Sequence, residues 1–119
     1  MVKGIFTCDE ELGILEMRVQ GHANFDELGK DPVCAGASTI AMAAAQCISF
    51  MEQGDRLQED AVIHIAGGNV RVQCKPRPEY FEEAMIILNV ASVGMQLLAA
   101  AYPGYVRVEP FGPAEAVSK

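Results

Sequence analysis

The sequence predicts an α+β domain, a two-layer sandwich in which two helices cover one face of a largely antiparallel sheet. Short segments of alternating polarity, separated by turns that contain glycine, are typical of antiparallel hairpins. Two long uncharged stretches carry apolar residues at helical spacing. Together they give the element order ββαββαβ. A chain of 119 residues has the length of one domain and can bury a core without disulfides, so we expect a single domain over residues 1–119.

The N-terminal part of the chain predicts a hairpin. Residues 2–8 and 14–21 are expected to be strands, joined by a turn over residues 9–13. In the second strand, apolar residues alternate with polar ones: Leu15, Met17 and Val19 against Glu16, Arg18 and Gln20. This period of two indicates a sheet with one face buried and the other in water. Residues 22–30 are polar and contain glycine, which predicts a loop.

Asp31 and Pro32 predict the start of the first helix, because Asp is a preferred N-cap and Pro suits the first helical turn. Apolar residues recur at helical spacing as far as Met51, and Gly54 is a stop signal. Cys47 lies about 220° around this helix from Cys34. We expect Cys47 to belong to the core.

The C-terminal half predicts two further strands, a helix and a last strand. The strands cover residues 61–66 and 70–74 around a tight turn at 67–69, the helix runs from 79 to about 102, and a short strand covers 105–108. The second helix is apolar nearly all round, with residues that do not fit on one stripe: Ile86, Leu88, Val90, Val93, Met95 and Leu97. One small sheet cannot cover that surface, so we expect a homodimer that buries the remainder.

Charge and cysteine content exclude several functional classes. Nine basic and 16 acidic residues give a net charge of −7, which argues against nucleic-acid binding and is compatible with a basic protein partner. The four cysteines form no CxxC pair, and two histidines complete the set of strong zinc ligands, so we expect no metal and no cofactor. The first residues carry no apolar signal-peptide segment, which favours a cytoplasmic protein with free thiols.

Both uncharged stretches, residues 32–51 and 84–106, are long enough to span a membrane. Each also contains polar residues, and the first is rich in alanine. We therefore expect both to be helices that are covered by protein, and we expect no membrane partner.

Cys34 is the strongest candidate for chemistry, since it falls in the first turn of the predicted helix, where unpaired N–H groups and the helix dipole favour a thiolate. The dipole contributes only about 0.3–1 kcal/mol, so an imidazolium is also needed. His22 follows Gly21, at which a bend can turn the imidazole toward the helix. First-turn N–H groups are candidates for an oxyanion site, and Ser38 lies one turn further along the same face.

The residues alone leave two alternatives open. One is a non-catalytic dimeric α+β module that binds a peptide or a small ligand, with Cys34 as a buried structural residue. The other is a thiol redox enzyme that uses Cys34.

The role of Asp31 is limited by its charge. A carboxylate beside Cys34 would oppose ionisation of the thiol, so we favour a role for Asp31 as helix cap with a hydrogen bond to the preceding loop over direct contact with His22. The preceding loop is either a lid over the substrate or an ordinary surface loop. If it is a lid, its candidate substrate-contacting residues are Ala23, Phe25, Leu28 and Gly29.

A combination of short motifs resembles one family. Residues 21–23 (GHA), 29–35 (GKDPVCA) and Ser38 resemble the GHA…G-x-D-x-V-C-A-x-x-S signature of the ribosomal-processing cysteine proteases, and residues 102–105 (YPGY) resemble a later motif of that family. The likeness covers most of the chain. Pro32 and Gly36 depart from the pattern, and Gly36 is expected to loosen the first helical turn.

The resemblance implies a cysteine endopeptidase, with Cys34 as nucleophile, His22 as base, and Asp31 and Ser38 as supporting residues. It further implies a homodimer. The implied substrate is a large-subunit ribosomal protein that carries a short N-terminal extension, cut after paired aromatic residues and before a small one.

Overall fold

The computed structural model describes residues 1–27 and 29–112. Within these residues, the strands and helices in chain order are β1 (Val2–Asp9), β2 (Ile14–Gln20), α1 (Pro32–Gln53), β3 (Val62–Ala66), β4 (Asn69–Cys74), α2 (Phe81–Ala101) and β5 (Val106–Glu109). The described strands form one sheet in the order β3-β4-β2-β1-β5. Neighbouring strands are antiparallel except β1 and β5, which run parallel. The predicted α+β class, element order and largely antiparallel sheet are confirmed.

The alternation predicted for β2 is the pattern that the structure shows. Leu15, Met17 and Val19 are buried, together with Val72 of the neighbouring strand β4, and they form the face on which both helices pack. On the opposite face Glu16 contacts Arg18 and Arg71. The sheet therefore has one apolar, covered face and one polar, open face, as the period of two predicts.

The helix α1 begins and ends at the predicted residues, with Asp31 as N-cap and Gly54 after the last turn. Its buried stripe consists mainly of small residues: Val33, Ala37, Ala41, Ala44, Ala45, Ile48 and Met51. The prediction for Cys47 was wrong, because this side chain is exposed. Cys47 lies beyond the edge of the stripe, on the wall of a groove toward α2 that also includes Ile86 and Val90.

The helix α2 begins later than predicted, because residues Pro78–Tyr80 form a separate 3₁₀ turn before it. It packs closely against α1 through two glycines. A β-carbon on Gly36 would lie 3.2 Å from Leu98 Cδ1, and one on Gly94 would lie 3.2 Å from Ile40 Cδ1. Gly36 therefore allows a close approach of the two helices, a role different from the loosening that the sequence predicts.

Part of each helix remains apolar and uncovered. By length and composition alone, both helices could cross a membrane, but each also packs one face on the sheet. The outer side of α2 presents four large exposed side chains at spacings of four, three and four residues: Ile86, Val90, Val93 and Leu97. This spacing places them on one stripe of the helix surface.

Candidate active site

The N-terminus of α1, the end of β2 and the β3–β4 turn meet at one end of the molecule around a cleft of about 230 Å³. His22, Cys34 and Ser38 all line this cleft, although they come from a loop and two successive turns of a helix. The opposite wall is formed by the turn residues Gly67 and Gly68. The structure thus brings together three of the side chains that the sequence singles out.

Gly21 produces the bend that places His22 in the cleft. Its φ of +97° lies in the region that favours glycine. A β-carbon there would collide with the carbonyl oxygen of Met1, and its N–H donates to Gly68 O at 2.8 Å. Beyond this bend, the imidazole of His22 leaves the alternation of β2 and lies against Gly68.

The thiol of Cys34 is half-buried and accepts one hydrogen bond from the backbone. The donor is the N–H of Ala23, 3.3 Å from Sγ. Within residues 1–27 and 29–112, no hydrogen bond joins the His22 imidazole to this sulfur, so the two side chains share the cleft without direct contact of that kind. Catalytic hydrogen bonds are often long in a free enzyme and tighten when substrate binds.

Asp31 is buried and joins the helix start to the preceding loop. Its Oδ1 accepts the N–H groups of Val33 at 2.9 Å and Cys34 at 3.2 Å. Its Oδ2 accepts those of Phe25 at 2.9 Å and Asp26 at 3.1 Å. Desolvation works to raise the pKa of the Asp31 carboxyl, but these four donors outweigh it and hold the pKa below its ordinary value. The carboxylate is therefore ionised at neutral pH.

The expectation that first-turn N–H groups form an oxyanion site is not met in this geometry. Pro32 has no N–H, and the next two donors, on Val33 and Cys34, are both taken by Asp31. The following one, on Ala35, bonds to the backbone carbonyl of Asp31 at 3.0 Å. The cap that starts the helix thus occupies the groups that the sequence assigns to an oxyanion. The backbone donor that points at the sulfur is Ala23 N–H.

The predicted lid residues take different positions. Ala23 is buried, whereas the ring of Phe25 is partly exposed and makes T-shaped contacts with the rings of Tyr102 and Tyr105. Gly29 has a φ of +88°, which a glycine adopts without strain. Leu28 lies outside the described residues.

Two features of the site escaped sequence reasoning. The first is Gly68, which reaches His22 because β2 pairs with β4 in the register Gln20 with Asn69. No local signal in the sequence identifies that long-range pairing. The second is the contact of Phe25 with Tyr102 and Tyr105. The signal available in the sequence was that each of these aromatic residues lies in a predicted loop or turn, but nothing local pairs the two segments.

The other cysteines differ from Cys34 in their surroundings. Cys74 belongs to the core, as predicted, and its burial raises the pKa of the thiol to about 12. Cys47 is exposed on α1. Cys34 is the cysteine that shares a cleft with a histidine.

Comparisons with known proteins identify a family that this chain matches over most of its length. Residues 1–107 match the model of a family described as cysteine protease Prp. The chain is 26% identical over 110 residues to the ribosomal processing cysteine protease Prp of Bacillus subtilis (strain 168), an alignment that covers 91% of this chain and 96% of that protein. It is 26% identical over 110 residues to the protein of the same name from Staphylococcus aureus (strain Mu50), covering 91% and 97%.

Solved structures show the same fold. One is the crystal structure of an essential ribosomal processing protease Prp from S. aureus in complex with a covalently linked product peptide; it has a TM-score of 0.69 at 24% identity and covers 94% of this chain and 100% of that chain. A second, of the same S. aureus protease with a substrate peptide, has a TM-score of 0.65 at 23% identity and the same coverage.

Proposed function

This chain belongs to the cysteine protease Prp family, and we propose that it removes a short N-terminal extension from a large-subunit ribosomal protein, with Cys34 as nucleophile and His22 as base. The observation that carries the proposal is the cleft that His22, Cys34 and Ser38 line together. The reaction takes place in the bacterial cytoplasm, where ribosomes are assembled and thiols stay reduced.

Acylation begins when the imidazole of His22 takes the proton of the Cys34 thiol. The thiolate attacks the scissile carbonyl carbon, and the carbonyl oxygen gains a negative charge that needs hydrogen-bond donors. Ala23 N–H, 3.3 Å from Sγ, is close enough to turn from the sulfur to this oxygen. The imidazolium then gives its proton to the departing amine, which leaves a thioester between Cys34 and the N-terminal fragment.

Deacylation uses the same groups in reverse order. His22 takes a proton from water, the resulting hydroxide attacks the thioester carbonyl, and the sulfur departs and is protonated again. The products are the carboxylate of the removed extension and the free thiol. Neither half-reaction requires a metal ion or a cofactor.

Asp31 and Ser38 support this chemistry in different ways. Asp31 holds the loop of His22 and Ala23 against the helix start through its four backbone donors, and so it fixes the distance between base and nucleophile. Ser38 is exposed on the wall of the cleft one turn after Cys34, where its hydroxyl can meet the polar groups of a bound peptide.

The relatives named above are called ribosomal processing proteases, and a ribosomal protein suits the charge of this chain. Ribosomal proteins are commonly basic, and a net charge of −7 attracts a basic protein over distances of about a Debye length. A neutral or acidic substrate would gain nothing from this charge.

The direct test uses the extended large-subunit ribosomal protein from the same organism as the chain. The purified protease is expected to shorten it at a single site, read by intact mass. Cys34→Ala protein serves as the control and is expected to leave the substrate intact. Cleavage at a similar rate by Cys34→Ala, or no cleavage by the unmodified protease, would contradict the proposal.

We also propose that the protein is a homodimer that pairs through the outer side of α2. A groove of about 460 Å³ between α1 and α2 is lined almost wholly by apolar atoms, and the exposed stripe of Ile86, Val90, Val93 and Leu97 borders it. A monomer would leave this surface in water, at a cost of about 25 cal/mol for each Å². A second copy presents the same apolar stripe and covers it.

A further inference from the structure

Phe25 makes two edge-on ring contacts near the cleft. Its ring centroid lies 5.1 Å from that of Tyr102 at an interplanar angle of 76°, and 5.0 Å from that of Tyr105 at 84°. Both geometries are favourable for aromatic pairs, because the positive edge of one ring meets the negative face of another. Tyr102 and Tyr105 therefore form two sides of a site that fits an aromatic ring.

The ring of Phe25 is held there only lightly. It contacts both tyrosines, yet 43% of the residue remains exposed to solvent. The backbone of Phe25, in contrast, is fixed by its N–H bond to Asp31 at 2.9 Å. The ring can leave the two tyrosines by rotation of its side chain, with no break in the hydrogen bond that positions the loop.

The two-tyrosine site is joined to the cleft of Cys34 by two short backbone links. Phe25 is two residues after Ala23, whose N–H donates to Cys34 Sγ, and two extended residues span about 7 Å. The carbonyl of Tyr105 bonds to the N–H of Val2, which itself lines the cleft. A peptide whose scissile bond lies at Cys34 can therefore place a side chain from an adjacent position between the tyrosines.

We propose that Tyr102 and Tyr105 form the subsite for an aromatic side chain of the substrate, and that Phe25 fills this subsite in the free enzyme as an internal competitor. This inference rests on the proposed peptidase function of the cleft. Phe25 thereby lowers the apparent affinity for substrate, because the subsite is open only in the fraction of molecules in which its ring has moved away. It also keeps the subsite closed to non-aromatic side chains that bind too weakly to displace the ring.

The test compares peptides that differ at one aromatic residue near the cleavage site, one with Phe and one with Leu there. For the Phe peptide, Phe25→Ala is expected to lower KM by about 3- to 10-fold with little change in kcat, which corresponds to a site self-occupied in most molecules. Tyr102→Leu and Tyr105→Leu are each expected to raise KM for the Phe peptide more than for the Leu peptide. Phe50→Ala, at an exposed phenylalanine near the far end of α1, is the matched control and should change neither KM.

Phe25→Leu is the second variant, since it keeps an apolar side chain but removes the aromatic ring; it too should lower KM for the Phe peptide. A KM that is unchanged or raised in both Phe25 variants, with unchanged circular dichroism, would overturn the inference. A raised KM would mean that Phe25 contacts substrate as part of a lid.

A binding measurement separates this inference from the proposed function. The chain has no tryptophan, and two of its three tyrosines are Tyr102 and Tyr105, so a change in tyrosine emission that is absent from Tyr102→Leu, Tyr105→Leu double-variant protein reports on the subsite. N-acetyl-phenylalanine amide is expected to change this emission at severalfold lower concentration in Phe25→Ala than in the unmodified protein. If it does so while the protease fails to cut the ribosomal protein, the proposed function is wrong and the subsite stands. If the protease cuts the ribosomal protein but the emission change does not shift in Phe25→Ala, the proposed function stands and the inference about Phe25 is wrong.

Discussion

The imidazole of His22 lies so close to Gly68 that a β-carbon on Gly68 would be 2.7 Å from its Nε2. Gly68 has a φ of +74°, and it follows Gly67 in the turn between β3 and β4. The absence of a side chain at this position leaves the space in which the imidazole sits. A turn that is distant in sequence therefore limits where the imidazole of His22, the proposed general base, can lie.

Gly68→Ala is expected to disable the protease by moving His22. The new methyl group meets the far end of a flexible side chain, so the imidazole shifts and the backbone need not. A displacement of about 1 Å costs on the order of 100-fold in rate, and the positive φ adds roughly 1–2 kcal/mol of strain. Cleavage rate and thermal melting measure the two effects separately.

Gly67→Ala is the matched control for this prediction. The neighbouring glycine lies in the same turn, and a β-carbon there meets nothing within 4 Å. We expect cleavage within about twofold of the unmodified enzyme. Equal loss of activity in the two variants would mean that the turn, and not the space for His22, is what matters.

Replacement of either proposed catalytic residue is expected to lower cleavage by at least about 10³-fold with the fold retained. His22→Ala should also slow alkylation of Cys34 by iodoacetamide at pH 7, because no imidazole then accepts the thiol proton. His64→Ala is the matched control, since His64 is an exposed histidine on β3 outside the cleft. An alkylation profile that is the same in His22→Ala and the unmodified protein would show that the two side chains do not act together.

This measurement needs one reacting thiol. Replacement of Cys8 and Cys47 by Ser leaves Cys34 and Cys74, and burial raises the pKa of Cys74 to about 12. Cys74 is therefore protonated at pH 7 and does not compete for the reagent. The alkylation rate in that background reports on Cys34.

Local signals in the sequence predicted most of the fold. The alternation in β2 and the Asp31–Pro32 start of α1 depend on residues adjacent in the chain, and both are where the sequence places them. The wrong expectation for Cys47 has a different origin. Burial on a helix that carries apolar residues on several sides depends on how far its neighbours reach, and periodicity does not contain that information.

The candidate site was predicted in its parts but not in its assembly. Sequence reasoning selected His22, Cys34 and Ser38, which the structure brings to one cleft, while their catalytic roles remain a prediction. It assigned the first-turn N–H groups to an oxyanion, and Asp31 occupies them instead. One carboxylate can accept several donors at once, and the number that it accepts depends on the path of the preceding loop.

If the protein pairs through the apolar stripe of α2, a charge introduced on that stripe is expected to separate the subunits. Val90 is 65% exposed in the single chain, and Val90→Glu would place a carboxylate in the proposed interface. We expect the sedimentation coefficient at micromolar concentration to fall from that of a dimer to that of a monomer, because a buried unpaired charge is strongly unfavourable. Leu12→Glu, at an exposed residue of the β1–β2 turn, should leave the dimer intact.

A thiol reagent provides an independent readout of the same interface. Cys47 is exposed in the single chain but lines the groove that the dimer would cover. Its alkylation is therefore expected to slow as protein concentration rises, and to become independent of concentration in Val90→Glu. A sedimentation coefficient of a monomer for the unmodified protein would contradict the dimer.

The carboxylate of Asp31 does what an amide cannot, because each of its two oxygens accepts a pair of backbone N–H groups. Oδ1 accepts the N–H groups of the helix start, and Oδ2 accepts those of Phe25 and Asp26 in the loop. Asn offers one oxygen, so Asp31→Asn can cap the helix but presents an NH₂ group to the two donors of the loop. We expect a lower melting temperature and, because the loop carries His22, cleavage reduced by about tenfold or more.

The pH dependence of stability distinguishes this arrangement from simple capping. The folded-state pKa of Asp31 lies below its ordinary value, so its contribution to stability is complete above the unfolded pKa of about 3.9 and is lost as pH falls through the folded pKa. The difference in melting temperature between the unmodified protein and Asp31→Asn should therefore stay constant from neutral pH down to about pH 5, and shrink as the pH falls below about 4. Asp26→Asn is the control, because within residues 1–27 and 29–112 that exposed carboxyl accepts the adjacent N–H of Glu27 and no other. If Asp31→Asn melts and cleaves like the unmodified protein at pH 7, Asp31 acts as a helix cap alone and the loop is held by other contacts.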